Sequence, residues 1–494
     1  MTADERRAEL RRATLLGVRW ISVARAVVET AALASSVVLA RLIPPAEFGR
    51  AAIALIVVAL AIILGPAGLT AVLVQRRELE RAHVEAAAFL SIVTGATLTL
   101  LTFAFAATAG VSLFGSEIAR LLEIAAPAWL ISSLGAVSQA MLQRALDFPR
   151  IAVLESVSVL LGTGTGIALA VAGLDAGALV AGGLVSASVG TALAVAWWRP
   201  PAPRPGRRAL AEVSSFAAPV ALSSLVYSTF RNIDYAILGV RLSAAQVGYY
   251  YRAYQLGVDY QSKLSQIMLR VSFPVYSRAE GLEELRRLRR RIVRTHATAI
   301  IPLLAAFVAM APVGVPWVFG AAWEPAVVPA QIMAGAGIAY AVATGTGPLM
   351  IAIGRPGALL TWSVCELLLY AALIVLLAPH GLTAVSIGVA AFATGSLLVI
   401  QAFLLRPYAG IPMRQLWDDV SPGLITGAGV LATAAPARGA LEGRMPTILL
   451  LAVLTSLATV VAAALLRLVF PAVWGDFISI FRRVGSREAT AASE

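Results

Sequence analysis

The sequence predicts an all-α integral membrane protein of about fourteen transmembrane helices, arranged as two pseudo-symmetric six-helix lobes around a central cavity with two further C-terminal helices. Three observations predict it. Of the 494 residues, 59% are hydrophobic and only 13% charged, with a mean hydropathy of +0.83; an average soluble domain is roughly 45–50% apolar and 25% charged. The apolar residues fall in runs of membrane-spanning length, since about 30 Å of hydrocarbon takes about 20 residues at 1.5 Å each. The chain also matches itself weakly across an offset of about 200 residues.

The runs lie near 17–40, 51–74, 86–112, 119–142, 151–173, 176–198, 212–240, 246–275, 293–319, 326–353, 357–378, 382–405, 418–437 and 446–470. The first begins behind a basic head and contains "ALA" at 32 to 34, in the manner of a signal peptide. Arg25 and Glu29 interrupt it and it continues to Ala40, so it reads as an uncleaved first helix. "AGLDAG" divides 151–198 into two spans. With the N-terminus inside, arginines cluster on the inner connections, as in Arg6, Arg7, Arg11 and Arg12 or Arg286, Arg287 and Arg289 to Arg291. The outer connections carry only Arg41, Arg50, Arg120, Arg241, Arg438 and Arg444, so both termini are expected on the cytoplasmic side.

The internal matches fall in order. "RLIPPAEFG" (41 to 49) is answered by "RLSAAQVG" (241 to 248), "LFGSE" (113 to 117) by "VFGAAWE" (318 to 324), and "DFPR" (147 to 150) by "IGRPG" (353 to 357). A repeat of six helices leaves both halves in the same orientation, a transporter arrangement with its site between the lobes near the midplane. The expected organisation is an N-lobe over 1–198, the proline-rich cytoplasmic linker at 199–211, a C-lobe over 212–405, and helices thirteen and fourteen with a cytoplasmic tail over 406–494.

Several function classes fall away. The formal net charge of +12 and pI near 10.5 follow from cytoplasmic arginine enrichment, and no soluble domain offers a nucleic acid a surface. Cys365 is the single cysteine, so there is no disulfide framework or thiolate metal site. His83, His296 and His380 are scattered over expected loops and helix ends without metal-ligand spacing, and no metal or other cofactor is expected. Connections outside the membrane are too short for a catalytic domain. The expectation is not an enzyme but a protein whose function lies among its helices.

Charges inside those helices are therefore the candidate site. In "GYYYRAYQLGVDYQSKLSQIMLR" (248 to 270), Asp259 lies about 340°, Lys263 about 20° and Arg270 about 0° round from Arg252 on an ideal helix. All four share one face over about 27 Å of rise, nearly the depth of the hydrocarbon. Because a lipid-facing charge costs at least about 2.5–3.5 kcal/mol, the face is expected toward a cavity. A static ladder is the blander reading, with Asp259 and Lys263 spaced for a pair, but it leaves two arginines over. Helix one adds Arg19, Arg25 and Glu29, of which Arg25 and Glu29 suit an i, i+4 pair and Arg19 equally suits an interface position. Helix seven adds Arg231 and Asp234; Glu155 and Glu366 read as satisfied buried acids. The set Arg19, Arg25, Arg231, Arg252, Lys263 and Arg270 outweighs Glu29, Asp234 and Asp259, so the cavity is expected to be net positive and the substrate to carry phosphate or acidic groups. "GTGTG" (162 to 166) lies mid-helix and reads as packing, and "GLEELRRLRRRIVRTH" (281 to 296) reads as an interfacial helix on anionic lipid, which the positive-inside rule explains about as well.

The stretches "LARLIPPAEFGRAAIAL" (39 to 55), "GLTAVLVQR" (68 to 76), "LFGSEIARLLEIAAPAWLI" (113 to 131), "QRALDFPRIAVLESVSVLLG" (143 to 162), "RNIDYAILGVRLSAAQVGYYYRAYQL" (231 to 256) and "FPVYSR" (273 to 278) resemble the polysaccharide transporter (Wzx-type) flippase family of the multidrug/oligosaccharidyl-lipid/polysaccharide exporter superfamily, particularly its teichuronic-acid and colanic-acid exporter-like members. The resemblance covers roughly residues 10 to 470. It implies a flippase that moves an anionic polyprenyl-pyrophosphate-linked oligosaccharide across the bacterial cytoplasmic (inner) membrane by alternating access, for surface polysaccharide biosynthesis. It implies membrane lipids as surroundings, and a polysaccharide polymerase and glycosyltransferases as pathway partners. In superfamily members that flip lipid II, arginines of helices one and eight take the pyrophosphate, which carries over to Arg19, Arg25, Arg252 and Arg270. Superfamily coupling to ion or proton gradients makes Glu29, Asp234 and Asp259 its candidates here. The alternative is an ion-coupled multidrug (cation) exporter of the same superfamily, against which the charge balance argues. A membrane glycosyltransferase, polymerase or ligase would need outer-face acids or histidines that are not seen.

Overall fold

Thirteen helices long and apolar enough to cross a bilayer occur among the described residues, and no strand does. This is the expected all-α membrane class: within hydrocarbon a helix satisfies every backbone donor and acceptor internally. The structure, a computed structural model, describes residues 3–64, 67–76, 78–204, 206–266, 276, 279 and 281–475, and side chains from residue 20 onward except 21 and 67. The expected span at 246–275 is helical to 266, and its remainder lies outside the described residues.

Contacts divide the chain into two compact units, Met1–Gly248 and Tyr249–Glu494. The first contains α1 (Ala3–Leu42), α2 (Pro45–Leu64), α3 (Ala67–Gln75), α4 (Arg81–Phe105), α5 (Ser116–Ala125), α6 (Ala128–Arg144), α7 (Phe148–Val171), α8 (Asp175–Trp197) and α9 (Arg207–Arg241). The division differs from the expected 199–211 linker. Helix α9 packs on α2, α3 and α4, so helix seven coheres with the six before it. Alanines such as Ala51, Ala54, Ala61, Ala125 and Ala128 fill the interior around Trp129, and their small side chains let helix backbones approach closely. In the "GTGTG" stretch, Gly162 faces the carbonyl of Gly182, so it serves the α7–α8 packing expected of it.

The second unit takes up α10 (Ala244–Tyr254), which begins in the first, and holds α11 (Leu282–Phe319), α12 (Val327–Ala343), α13 (Thr346–Ala352), α14 (Pro356–Leu377), α15 (Leu382–Val399), α16 (Met413–Leu441) and α17 (Thr447–Val469). Helix α11 packs on α12, α16 and α17, and α12 packs on α15. The stretch 281 to 296 is not a separate interfacial helix, because α11 runs unbroken from Leu282 into the span. His296 likewise lies inside this helix and is buried, its Nε2 2.8 Å from Ser265 Oγ.

The internal repeat has a structural counterpart in each motif. "LFGSE" and "VFGAAWE" both break a helix at a glycine of positive φ, Gly115 at 83° and Gly320 at 105°. "DFPR" and "IGRPG" both start one: Asp147 caps α7 by accepting from the Arg150 amide at 3.3 Å, and Pro356 opens α14. The pair "RLIPPAEFG" and "RLSAAQVG" goes further, since the two motifs meet. A Cβ on Gly49 would overlap the carbonyl of Ala244 and approach Gly248 N to 2.8 Å; one on Gly248 would overlap the carbonyl of Pro45 and approach Gly49 N to 3.2 Å. The glycines are there because α2 and α10 cross backbone to backbone.

Gly49→Ala is accordingly expected to cost about 1–3 kcal/mol, because backbone cannot yield as a side chain can. Gly164→Ala, in α7 with nothing within 4 Å, should stay within about 0.5 kcal/mol of the parent. Thermal unfolding of the two purified variants in detergent checks the contrast.

Candidate functional site

On α1 the sequence spacing translates directly into contact. Arg25 Nε lies 3.4 Å from Glu29 Oε1, with the arginine side chain 53% and the glutamate 33% exposed. Arg19 falls in the same helix, but its side chain lies outside the described residues. On α9, Arg231 is half-buried and Asp234 buried, its Oδ1 accepting from the Tyr235 amide at 2.9 Å.

Helix eight departs from the straight-helix projection. After α10 the backbone passes through a π-helical turn, Gln255–Asp259, before resuming as α-helix. A π-turn inserts a residue into the ladder and rotates everything beyond it by about 100° relative to a uniform helix. The turn is held by glycines: a Cβ on Gly257 would approach Met333 C at 2.6 Å and Ala334 N at 2.8 Å, and Gly337 of α12 lies against the Gly257 carbonyl.

The consequence is that Arg252, Asp259 and Lys263 do not form one exposed stripe. Arg252 is 0% exposed. Its guanidinium stacks 4.4 Å from the ring centroid of Phe319 and 4.7 Å from that of Trp323, and Nη1 donates to Gln255 Oε1 at 2.7 Å. Ring faces carry partial negative charge, so a planar guanidinium suits this slot better than a compact ammonium. Lys263 is exposed, its Nζ 5.4 Å from the Tyr260 ring centroid, and Asp259 is half-buried. Arg270 lies outside the described residues.

The structure also forms three ionic clusters that the sequence reading missed. In the first unit, Glu212 of α9 accepts from Arg76, from Arg208 at 2.9 Å and from the ring of buried His83 at 3.0 Å. His83 Nδ1 accepts the Glu80 amide, which leaves Nε2 to donate to Glu212. Also in the first unit, Arg50 bridges Glu47 and, at 2.8 Å, Glu117 beside a cleft of about 380 Å³ at the α2–α10 crossing. In the second unit, buried Asp419 meets Arg289, Arg290 and Arg294. Local spacing marks only the Arg208–Glu212 and Glu47–Arg50 pairs; the remaining contacts join residues distant in sequence. Glu366 is satisfied as expected, accepting from Ser396. No group of histidine, cysteine and acidic side chains suited to a metal occurs among the described residues.

A polytopic helical bundle whose spans carry ionisable side chains, cations in excess, defines a membrane transport protein. The family model for "Polysaccharide biosynthesis protein" matches residues 38–328, more than half the chain. The chain thus belongs to that family, the Wzx-type flippases of the multidrug/oligosaccharidyl-lipid/polysaccharide exporter superfamily, and is a multi-pass transport protein of polysaccharide biosynthesis, not a catalyst. It is 26% identical to the lipopolysaccharide biosynthesis protein WzxC of Escherichia coli (strain K12), over 82% of this chain and 84% of that one. It is 27% identical to the teichuronic acid biosynthesis protein TuaB of Bacillus subtilis (strain 168), over 61% and 64%. Among solved structures, the lipid II flippase MurJ in an inward closed conformation superposes with a TM-score of 0.72 at 12% identity, over 92% of this chain and 99% of that one. An inward-facing multidrug resistance MATE family transporter gives 0.59 at 16% identity, over 82% and 95%. These two establish the fold.

Arg252→Lys should destabilise the protein by about 1–3 kcal/mol, because a buried ammonium cannot lie flat between two rings while donating to Gln255. Arg25→Lys, at a half-exposed pair, should change stability by no more than about 0.5 kcal/mol. Thermal unfolding of both in the same detergent distinguishes the two environments.

Proposed function

We propose that the protein translocates an anionic polyprenyl-pyrophosphate-linked oligosaccharide across the cytoplasmic membrane by alternating access, with both termini in the cytoplasm. The observation that carries this reading is the excess of cations inside apolar spans: Arg25, Arg231, Arg252 and Lys263, with Arg19 and Arg270 as further candidates in the sequence, against Glu29, Asp234 and Asp259. A low-dielectric cavity with that balance attracts a diphosphate and repels an organic cation, which sets it apart from a cation exporter of the same fold. The names of the relatives, lipopolysaccharide and teichuronic acid biosynthesis, support an envelope glycan as cargo. A polysaccharide polymerase and glycosyltransferases of the same pathway then supply and consume it.

The residues take distinct roles in this reading. Arg25 and Lys263, exposed in this conformation, meet the pyrophosphate first, and arginine's planar fork can engage two of its oxygens. Arg252 is held against Phe319 and Trp323 and joins them when an anion draws it out of the ring slot. Arg231 supplies further positive potential from helix seven. Glu29, paired with Arg25, is released when Arg25 turns to the substrate, which makes it, with Asp234 and Asp259, a candidate for ion or proton coupling.

Complementation of a strain lacking its flippase tests the assignment. Arg25→Ala, Arg252→Ala and Arg270→Ala should each abolish surface glycan while the protein still inserts, and Lys263→Ala should reduce it less. Normal glycan in an Arg25→Ala/Arg252→Ala double variant would contradict the cationic site.

A further inference from the structure

We infer that the arginine-rich start of α11 and the start of α16 form a binding site for the phosphate of an anionic phospholipid headgroup, separate from the transport cations. At 38 residues, α11 is about 57 Å long, so its first turns project beyond a hydrocarbon layer of about 30 Å into the headgroup zone. There three arginines converge on one carboxylate. Asp419 Oδ2 lies 3.8 Å from Arg289 Nη1, and Asp419 Oδ1 lies 3.2 Å from Arg290 Nε and 3.9 Å from Arg294 Nη2.

The charge does not balance. Asp419 is 0% and Arg289 2% exposed, so the pair is cut off from bulk water, and two further guanidinium charges share the same single anion. Hydrogen bonding does not close either. Arg289 Nη2 reaches Gln401 Oε1 at 3.4 Å, but Arg289 Nη1, Arg294 Nε and both carboxylate oxygens of Asp419 are buried and make no hydrogen bond, so the one carboxylate does not satisfy the guanidinium groups around it. Gln401 is itself committed, its Nε2 donating to the carbonyls of Ile411 at 2.8 Å and Pro412 at 3.2 Å, which fixes the chain leading into α16. A buried cluster with excess positive charge and unused guanidinium donors calls for a second anion.

The surroundings select which anion. Arg290 is 47% exposed, so the cluster opens to the surface on that side. Trp417, two residues from Asp419, is 62% exposed, and an exposed tryptophan at a span's end marks the headgroup level. Arg287 and Arg291 on α11 and Arg414 on α16 are exposed and add to the local potential. A phosphodiester at that depth, anchored by its own acyl chains, meets the cluster at high local concentration, which a free phosphate ion does not.

Native mass spectrometry of the full chain in detergent, titrated with phosphatidylglycerol, phosphatidylcholine or inorganic phosphate, tests this. The parent protein should bind phosphatidylglycerol at least tenfold more tightly than phosphatidylcholine. Arg290→Gln/Arg294→Gln should remove that preference, and Arg287→Gln, outside the cluster, should change it less than twofold. Asp419→Asn keeps the arginines but removes their anion, and should tighten phosphatidylglycerol binding several-fold. Equal binding of the two lipids would overturn the inference, as would inorganic phosphate displacing the lipid at micromolar concentration. An equal loss in Arg287→Gln and in the double variant would reduce the site to diffuse surface charge and overturn it too.

Discussion

A charge carried into hydrocarbon has to be met there by an opposite charge, by ring faces and polar side chains, or by water, and the cations on the spans of this protein differ in which of these they meet. Arg25 meets Glu29. Arg252 meets two aromatic rings and a glutamine and is fully enclosed. Lys263 lies over the ring of Tyr260 on its own helix and stays exposed. These are three different answers to one desolvation problem, and they make the cations unequal. A group stacked in a slot is released only against the energy of the stack, whereas an exposed one already faces solvent. In the proposed flippase that inequality gives an order of engagement, with the exposed cations first and Arg252 after them.

Close backbone approach is the second constraint. With lipid as apolar as leucine, helices gain little by burying large side chains and associate through small ones. Gly49 and Gly248 let α2 cross α10, Gly257 and Gly337 seat the π-turn on α12, and Gly162 and Gly182 join α7 to α8. The π-turn is the point where packing and electrostatics meet. On a uniform helix Arg252 and Lys263 would share a face; the π-turn between them turns Lys263 away from it.

Much of this was legible in the sequence, and the limits have physical causes. Apolar runs predict spans because bilayer thickness is a fixed ruler, and the predicted breaks at "AGLDAG" and "LFGSE" coincide with positive-φ residues, Gly173 and Gly115. The Arg25–Glu29 pair was readable because it is local. The expected single face of helix eight is interrupted, among its described residues, by a π-turn, which leaves no mark in residue spacing. The unit division at Gly248 and Tyr249, the Glu212 cluster and the Asp419 cluster depend on which distant helices meet, and one sequence has no term for that. Gly49 and Gly248 show the boundary well: their equivalence under the repeat was visible as a motif match, while their contact with each other was not.

Reconstitution tests the central claim most directly. Purified protein in liposomes, supplied with a polyprenyl-pyrophosphate-linked oligosaccharide on one leaflet, is assayed for the fraction of glycan that becomes accessible to a membrane-impermeant glycosidase on the other. The cationic-site account predicts protein-dependent transfer of the pyrophosphate-linked lipid and none of the same glycan on a neutral polyprenyl ether. Equal transfer of both lipids, or transport of an organic cation in place of either, would contradict it.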